Sequence, residues 1–131
     1  MTQDERSALV KIRLQRAKET LLEVKDNVEL GHWRLVANRL YYTCFYAVIA
    51  LLVKNKINAH THAGVINQFG LHFIATGLIS NVQGKFYKQL FNLRQDGDYE
   101  DWIQIDEQDV LPLVEPAEEF IATIENLISS P

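Results

Sequence analysis

ANRLYYTCFYAVIALL, residues 37–52, holds no glycine, no proline and no acidic residue, and its apolar side chains fall at nearly every helical angle rather than along one stripe. A helix that is apolar nearly all round is one surrounded by other protein. Extended to its natural limits, the segment predicts a helix from residue 32 or 33 to residue 54, the most buried of the chain, with one face left for a partner subunit. Its longest purely apolar run, residues 47–53, falls well short of the roughly 20 residues that cross a bilayer, so no membrane span is expected. The one charge inside the quoted stretch is Arg39. Arg39, Tyr42 and Tyr46 follow at spacings of three and four and share a face, which Leu35 and Ile49 extend.

Upstream, Val10, Leu14, Ala17, Leu21, Val24 and Val28 recur every three or four residues and leave Lys11, Lys18, Lys25, Glu19 and Glu23 outward. That predicts a helix over residues 4–29, stopped at Gly31. Downstream, a shorter helix starts near Thr61, packs through Val65, Ile66, Phe69 and Phe73, and ends by Gly77. Gly70 weakens its middle by about 1 kcal/mol relative to alanine. Ser80 caps a fourth helix with Val82, Phe86, Leu90 and Leu93 inward and Lys85 and Lys88 outward. RQDGDYEDWIQ, residues 94–104, reads as the longest connection because its Asp96-Gly97 pair is a turn signal, with the following WIQI briefly extended. Asp106 and Asp109 frame the start of a last helix carried by Val110, Leu113, Val114, Ala117, Ile121, Ile124 and Ile128, its first turns irregular at Pro112 and Pro116. The expected fold is all-α: an antiparallel four-helix bundle with an additional short helix, one domain over residues 1–131.

Composition narrows the classes. The N-terminus lacks the apolar core and cleavage site of a secretory signal, so a cytoplasmic location is expected. Cys44 is the only cysteine, which excludes an intramolecular disulfide and a cysteine-built zinc site and leaves it as a small buried hydrophobe. The net charge of −4 conceals an asymmetry: all thirteen Lys and Arg lie at or before Arg94, while eleven of the seventeen acids follow Gln95. Between Leu30 and Gln95 stand seven basic residues and no acidic one. Such a middle region either attracts phosphate, with the salt dependence that counterion release brings, or packs against the acidic last helix or an acidic partner.

The candidate chemistry is sparse. Arg39 beside its tyrosines can grip a phosphate while the rings stack on a base, or pair internally with an acid near residues 96–101. His60 and His62 flank Thr61; either can donate to a phosphate or act as a general base. Two residues apart on a helix they face different ways, and no third ligand is spaced for a metal, so no metal or cofactor is expected. Residues 96–107 mimic a calcium loop only in acidity, since Asp101 stands where that loop needs glycine. A fixed pair between Asp98 and an arginine, with Tyr99 packed beneath it, explains that segment more simply.

Three segments in order, ANRLYYTCFYAVIALL, THAGVINQFGLHFIATG and LFNLRQDGDYEDW, resemble the HEPN superfamily, specifically its small stand-alone prokaryotic branch, over roughly residues 5–128. The resemblance implies a helical bundle that dimerises, and a role as a ribonuclease of toxin–antitoxin or defence systems or as the partner of a small nucleotidyltransferase. HEPN ribonucleases carry an arginine followed a few residues later by histidine. Here Arg94 matches the arginine, but Asp98 and Tyr99 follow where the histidine belongs, and no histidine occurs after His72. The resemblance therefore implies a polar signature of Asn38, Arg39 and Tyr42 with Arg94, Asp98 and Tyr99. Three functions follow as expectations. The first is binding of a nucleotide, RNA or a nucleotidyltransferase-like partner through Asn38, Arg39, Tyr42 and Arg94 without standard HEPN ribonuclease chemistry. The second is a metal-independent endoribonuclease using Arg94 with His62 or His60. The third is a structural or regulatory homodimer with internally paired arginines.

Overall fold

A computed structural model describes residues 1–130. Helix α1, Gln3–Leu30, opens at Thr2, whose hydroxyl accepts from the Glu5 amide at 3.1 Å. It closes at Gly31, where φ is +70°, a left-handed turn that a side chain would strain. The tight turn sends α2, Trp33–Lys54, back along α1. Helix α2 then packs against α1, α4 (Asn81–Tyr99) and α6 (Val114–Ser129), with half of its 22 residues buried. By length and composition α2 is long and apolar enough to cross a bilayer, its most apolar 18-residue stretch having a mean hydropathy of 1.5. The bundle buries 61% of that stretch, which accounts for its composition. Cys44 lies fully buried in this helix.

Helix α3, His62–Phe69, is capped by Thr61, whose hydroxyl accepts from the Gly64 amide at 2.9 Å. At Gly70 the chain widens into a π turn, Gly70–Ile74. Ser80 caps α4 as its type predicts, accepting from the Gln83 amide at 3.2 Å.

Two features of α4 differ from the sequence expectation. The buried line is Tyr87, Leu90, Arg94 and Gly97, while Val82 is 76% exposed; an apolar template misses a stripe that contains arginine and glycine. The helix also runs through Asp96-Gly97 to Tyr99 instead of turning there. Gly97 serves close approach: a Cβ at this position would stand 2.7 Å from the Ile105 side chain. Arg34 reaches across from α2 to donate to the carbonyls of Gly97 and Ile103, tying the end of α4 and the segment after it to the core. Substituting Gly97→Ala gains about 1 kcal/mol of helix propensity but overpacks the site at a cost of about 1–3 kcal/mol. A net loss of about 1 kcal/mol in chemical denaturation is expected, and a more stable variant would show that Ile105 is not pressed against α4.

The segment after α4 is irregular over residues 103–106, with no strand. Asp106 and Asp109 then cap α5, Glu107–Val110, reciprocally; the Asp106 amide donates to the Asp109 carboxylate at 2.8 Å. A 3-10 turn, Leu111–Leu113, absorbs Pro112 before α6 begins. The acids of α6 do not meet the basic middle of the chain. Two of that helix's four acids pair with α1 instead, Glu125 with Lys18 at 2.6 Å and Glu118 with Lys25 at 3.4 Å. All four paired side chains are substantially exposed, so each pair contributes about 1 kcal/mol or less.

Candidate functional site

The polar residues singled out in the sequence converge where α2, α3 and α4 meet. At the centre is Arg94, only 6% exposed. A buried charge is costly unless it is compensated, and the compensation is visible. Asp98, one turn along α4, lies 3.6 Å from its guanidinium. The guanidinium carbon also sits 4.9 Å from the Tyr41 ring centre, 5.7 Å from those of Tyr42 and Phe91, and 5.9 Å from that of Tyr99, within range for cation–π attraction. The Arg94 Nε remains buried without a hydrogen-bond partner.

Asp98 is held from α2. The Asn38 amide donates to both of its oxygens, at 3.2 and 3.4 Å, while the Asn38 carbonyl accepts from Arg39 Nε at 3.0 Å and Nη2 at 2.7 Å. Arg39 in turn stands 3.6 Å from Glu23 on α1. A chain of polar groups, Glu23, Arg39, Asn38, Asp98 and Arg94, thus crosses three helices. Tyr42 lies between its two cations, 5.2 Å from the Arg39 guanidinium and 5.7 Å from that of Arg94.

His62, the first residue of α3, completes the group. Its Nδ1 lies 2.6 Å from the Tyr41 hydroxyl; its ring is 4.7 Å from Phe45 and edge-on to Tyr42 at 5.9 Å. Burial and the nearby charge of Arg94 hold the imidazole below its ordinary pKa, so His62 is neutral near pH 7. Burial pushes the Tyr41 phenol up to about 12. A cavity of about 220 Å³ opens beside His62, with Arg13, His60 and Thr61 among its polar lining and Phe45 and Ile49 among its apolar wall.

The structure therefore brings Asn38, Arg39, Tyr42, His62, Arg94 and Asp98 into one constellation. Tyr99 departs from expectation: it is 68% exposed at the edge of the group rather than packed beneath the Arg94–Asp98 pair. His72 is exposed and bonded to Gln68, away from the group. Sequence reasoning missed Tyr41, Tyr87 and Phe91, which form the ring wall around Arg94 and behind His62, and Arg34, which anchors the end of α4. In a helix apolar on all sides, spacing alone does not say which aromatic faces α4.

The HEPN domain family model matches residues 10–127 of the chain. The chain belongs to the HEPN domain family. It is 33% identical to a UPF0332 protein of Thermotoga maritima over 95% of both chains. Two proteins of Methanocaldococcus jannaschii carry the name "putative toxin". One is 36% identical over 73% of this chain and 69% of its own length, the other 28% identical over 88% and 84%. In this HEPN chain the imidazole whose electrostatic environment includes Arg94 comes from α3 and not from the residues that follow the arginine.

Proposed function

We propose that this HEPN chain is a toxin-like module that binds RNA or nucleotide phosphate on the face formed by Arg39, Tyr42 and His62, without the Arg–His cleavage chemistry expected of HEPN ribonucleases. The observation that carries the reading is the gathering of two guanidinium groups, at 5.2 and 5.7 Å, and the His62 ring, at 5.9 Å, around the ring of Tyr42. Cations, a stackable ring and a neutral donor are what a single-stranded nucleic acid engages. The two arginines divide the work. Arg39 keeps 27% of its side chain exposed, and among the described residues its only carboxylate contact is with the half-exposed Glu23, a pair weak enough for a phosphate to displace. Arg94 is too deeply buried for the same contact; it contributes its field and fixes Asp98 and the ring wall. The Methanocaldococcus relatives' names support the toxin-like half of the reading. A second copy of the chain or a nucleotidyltransferase-like protein is the protein partner that fits it.

Fluorescence anisotropy with a labelled single-stranded RNA oligonucleotide tests the binding. Arg39→Gln is expected to weaken binding about tenfold and to lower the slope of log K against log salt by about 0.7–1. Unchanged affinity and slope in a folded variant would remove Arg39 from the site. The ribonuclease reading keeps one specific support, the burial and nearby Arg94 charge that lower the His62 pKa and so favour the unprotonated form a general base requires. Cleavage of the same oligonucleotide in the presence of a chelator, abolished in His62→Gln, would establish it over the binding reading.

A further inference from the structure

His62 reaches a phosphate in the proposed function through whichever ring nitrogen Tyr41 leaves free, and the hydroxyls around it decide what that nitrogen carries. Tyr41 is fully buried, and its hydroxyl stands 2.6 Å from His62 Nδ1. The Tyr87 ring stacks on that of Tyr41 at 5.9 Å and 9°. Its own hydroxyl is buried and has no hydrogen-bond partner.

Two arrangements of hydrogens are conceivable. If Nδ1–H donates to the Tyr41 oxygen, the hydrogen of the fully buried Tyr41 hydroxyl is left without an acceptor among the described residues. If Tyr41 donates to Nδ1, that hydrogen is directed at an acceptor 2.6 Å away. Buried polar groups settle in the arrangement that pairs them. Arg94, with its charge 4.9 Å from the Tyr41 ring centre, polarises the phenol in the same sense. No carboxylate contacts His62 among the described residues, so nothing draws a second proton onto the ring.

Resting on the phosphate-binding reading, we propose that Tyr41 is a positioning residue that holds His62 as the neutral tautomer with its hydrogen on Nε2, making His62 a hydrogen-bond donor to a bound phosphate and not a base. Phosphate oxygens accept, so an N–H is the complementary group. A base would need the Nε2 lone pair that this tautomer does not have. His62 also lines the cavity shared with Arg13, His60 and Thr61.

Long-range proton–nitrogen NMR of the 15N-labelled protein reads the tautomer directly and needs no variant. The expected result is a bare Nδ1 and a protonated Nε2 on His62. In Tyr41→Phe the preference collapses to a mixture, and RNA binding falls roughly fivefold, the size of one lost hydrogen bond. His62→Gln, which keeps a side-chain N–H donor, retains most of the affinity, while His62→Leu loses about tenfold. A protonated Nδ1 in the wild-type protein overturns the proposal even if RNA binds, which would leave the phosphate-binding reading standing. An Nε2–H tautomer in a protein that binds no oligonucleotide at low salt overturns the donor role together with that reading. Equal loss in His62→Gln and His62→Leu also refutes the donor role.

Discussion

Replacing Arg94 with alanine is expected to lower the unfolding free energy by about 3 kcal/mol, at the low end of what breaking a buried ion pair costs. The low end applies because Asp98, the partner left behind, is 28% exposed and keeps its bonds from Asn38. Most of the loss therefore comes from the vacated space and the forfeited attraction to the rings of Tyr41, Tyr42 and Phe91. Arg94→Lys keeps the charge but not the planar group that lies against those rings, and about half the loss is expected. Asp98→Asn removes the charge that stands 3.6 Å from the guanidinium but leaves a polar oxygen in its place, so a cost of about 1–2 kcal/mol is expected. Urea denaturation of the three variants gives the order. Against a total stability of about 5–15 kcal/mol, the alanine variant remains folded enough for its RNA binding to be measured. Wild-type stability in Arg94→Ala would mean that the guanidinium is not seated among the rings.

The same residue shows where reading the sequence succeeds and where it stops. The helix starts were legible at Thr61, Ser80 and Asp106 because a cap is a local matter, settled within three residues. The burial of α2 was legible because an apolar circumference has one explanation. The end of α4 was not. Asp-Gly is a turn signal when nothing else competes, but here Ile105 and Arg34, distant in sequence, make a buried helical glycine the better solution. The site was half legible for a related reason. Arg39, Tyr42, Arg94 and Asp98 could be named from spacing and family resemblance, because polar residues stand out in an apolar helix. That His62 shares a wall with Arg94 depends on how α3 lies across α2, and no local pattern records it. Tyr41 was hidden by its own context, one aromatic among several on a helix with no polar face.

Phe120→Ala should carry a comparable or larger penalty, about 3–5 kcal/mol, although Phe120 touches neither Arg94 nor His62. It is fully buried on α6, its ring 5.7 Å from Tyr87, 5.8 Å from Phe69 and 6.1 Å from Phe86. Phe120, Tyr87 and Tyr41 form a column of near-parallel rings, tilted by 23° and 9° at its two contacts, that runs from α6 through α4 to α2. The hydroxyl of the last ring meets His62. Removing the first ring frees Tyr87 to tilt, and Tyr41, stacked on Tyr87, loses the support that aims its hydroxyl at His62. The expected outcome is therefore double. The denaturation midpoint falls by an amount equivalent to several kcal/mol, and in the fraction that stays folded His62 loses its single tautomer. Phe120→Leu, which keeps most of the volume but not the aromatic contacts, should lose about 2 kcal/mol and show an intermediate imidazole spectrum. If Phe120→Ala unfolds the protein by the expected amount but leaves the His62 tautomer intact, the column is packing alone, and the orientation of His62 is set within α2 and α3.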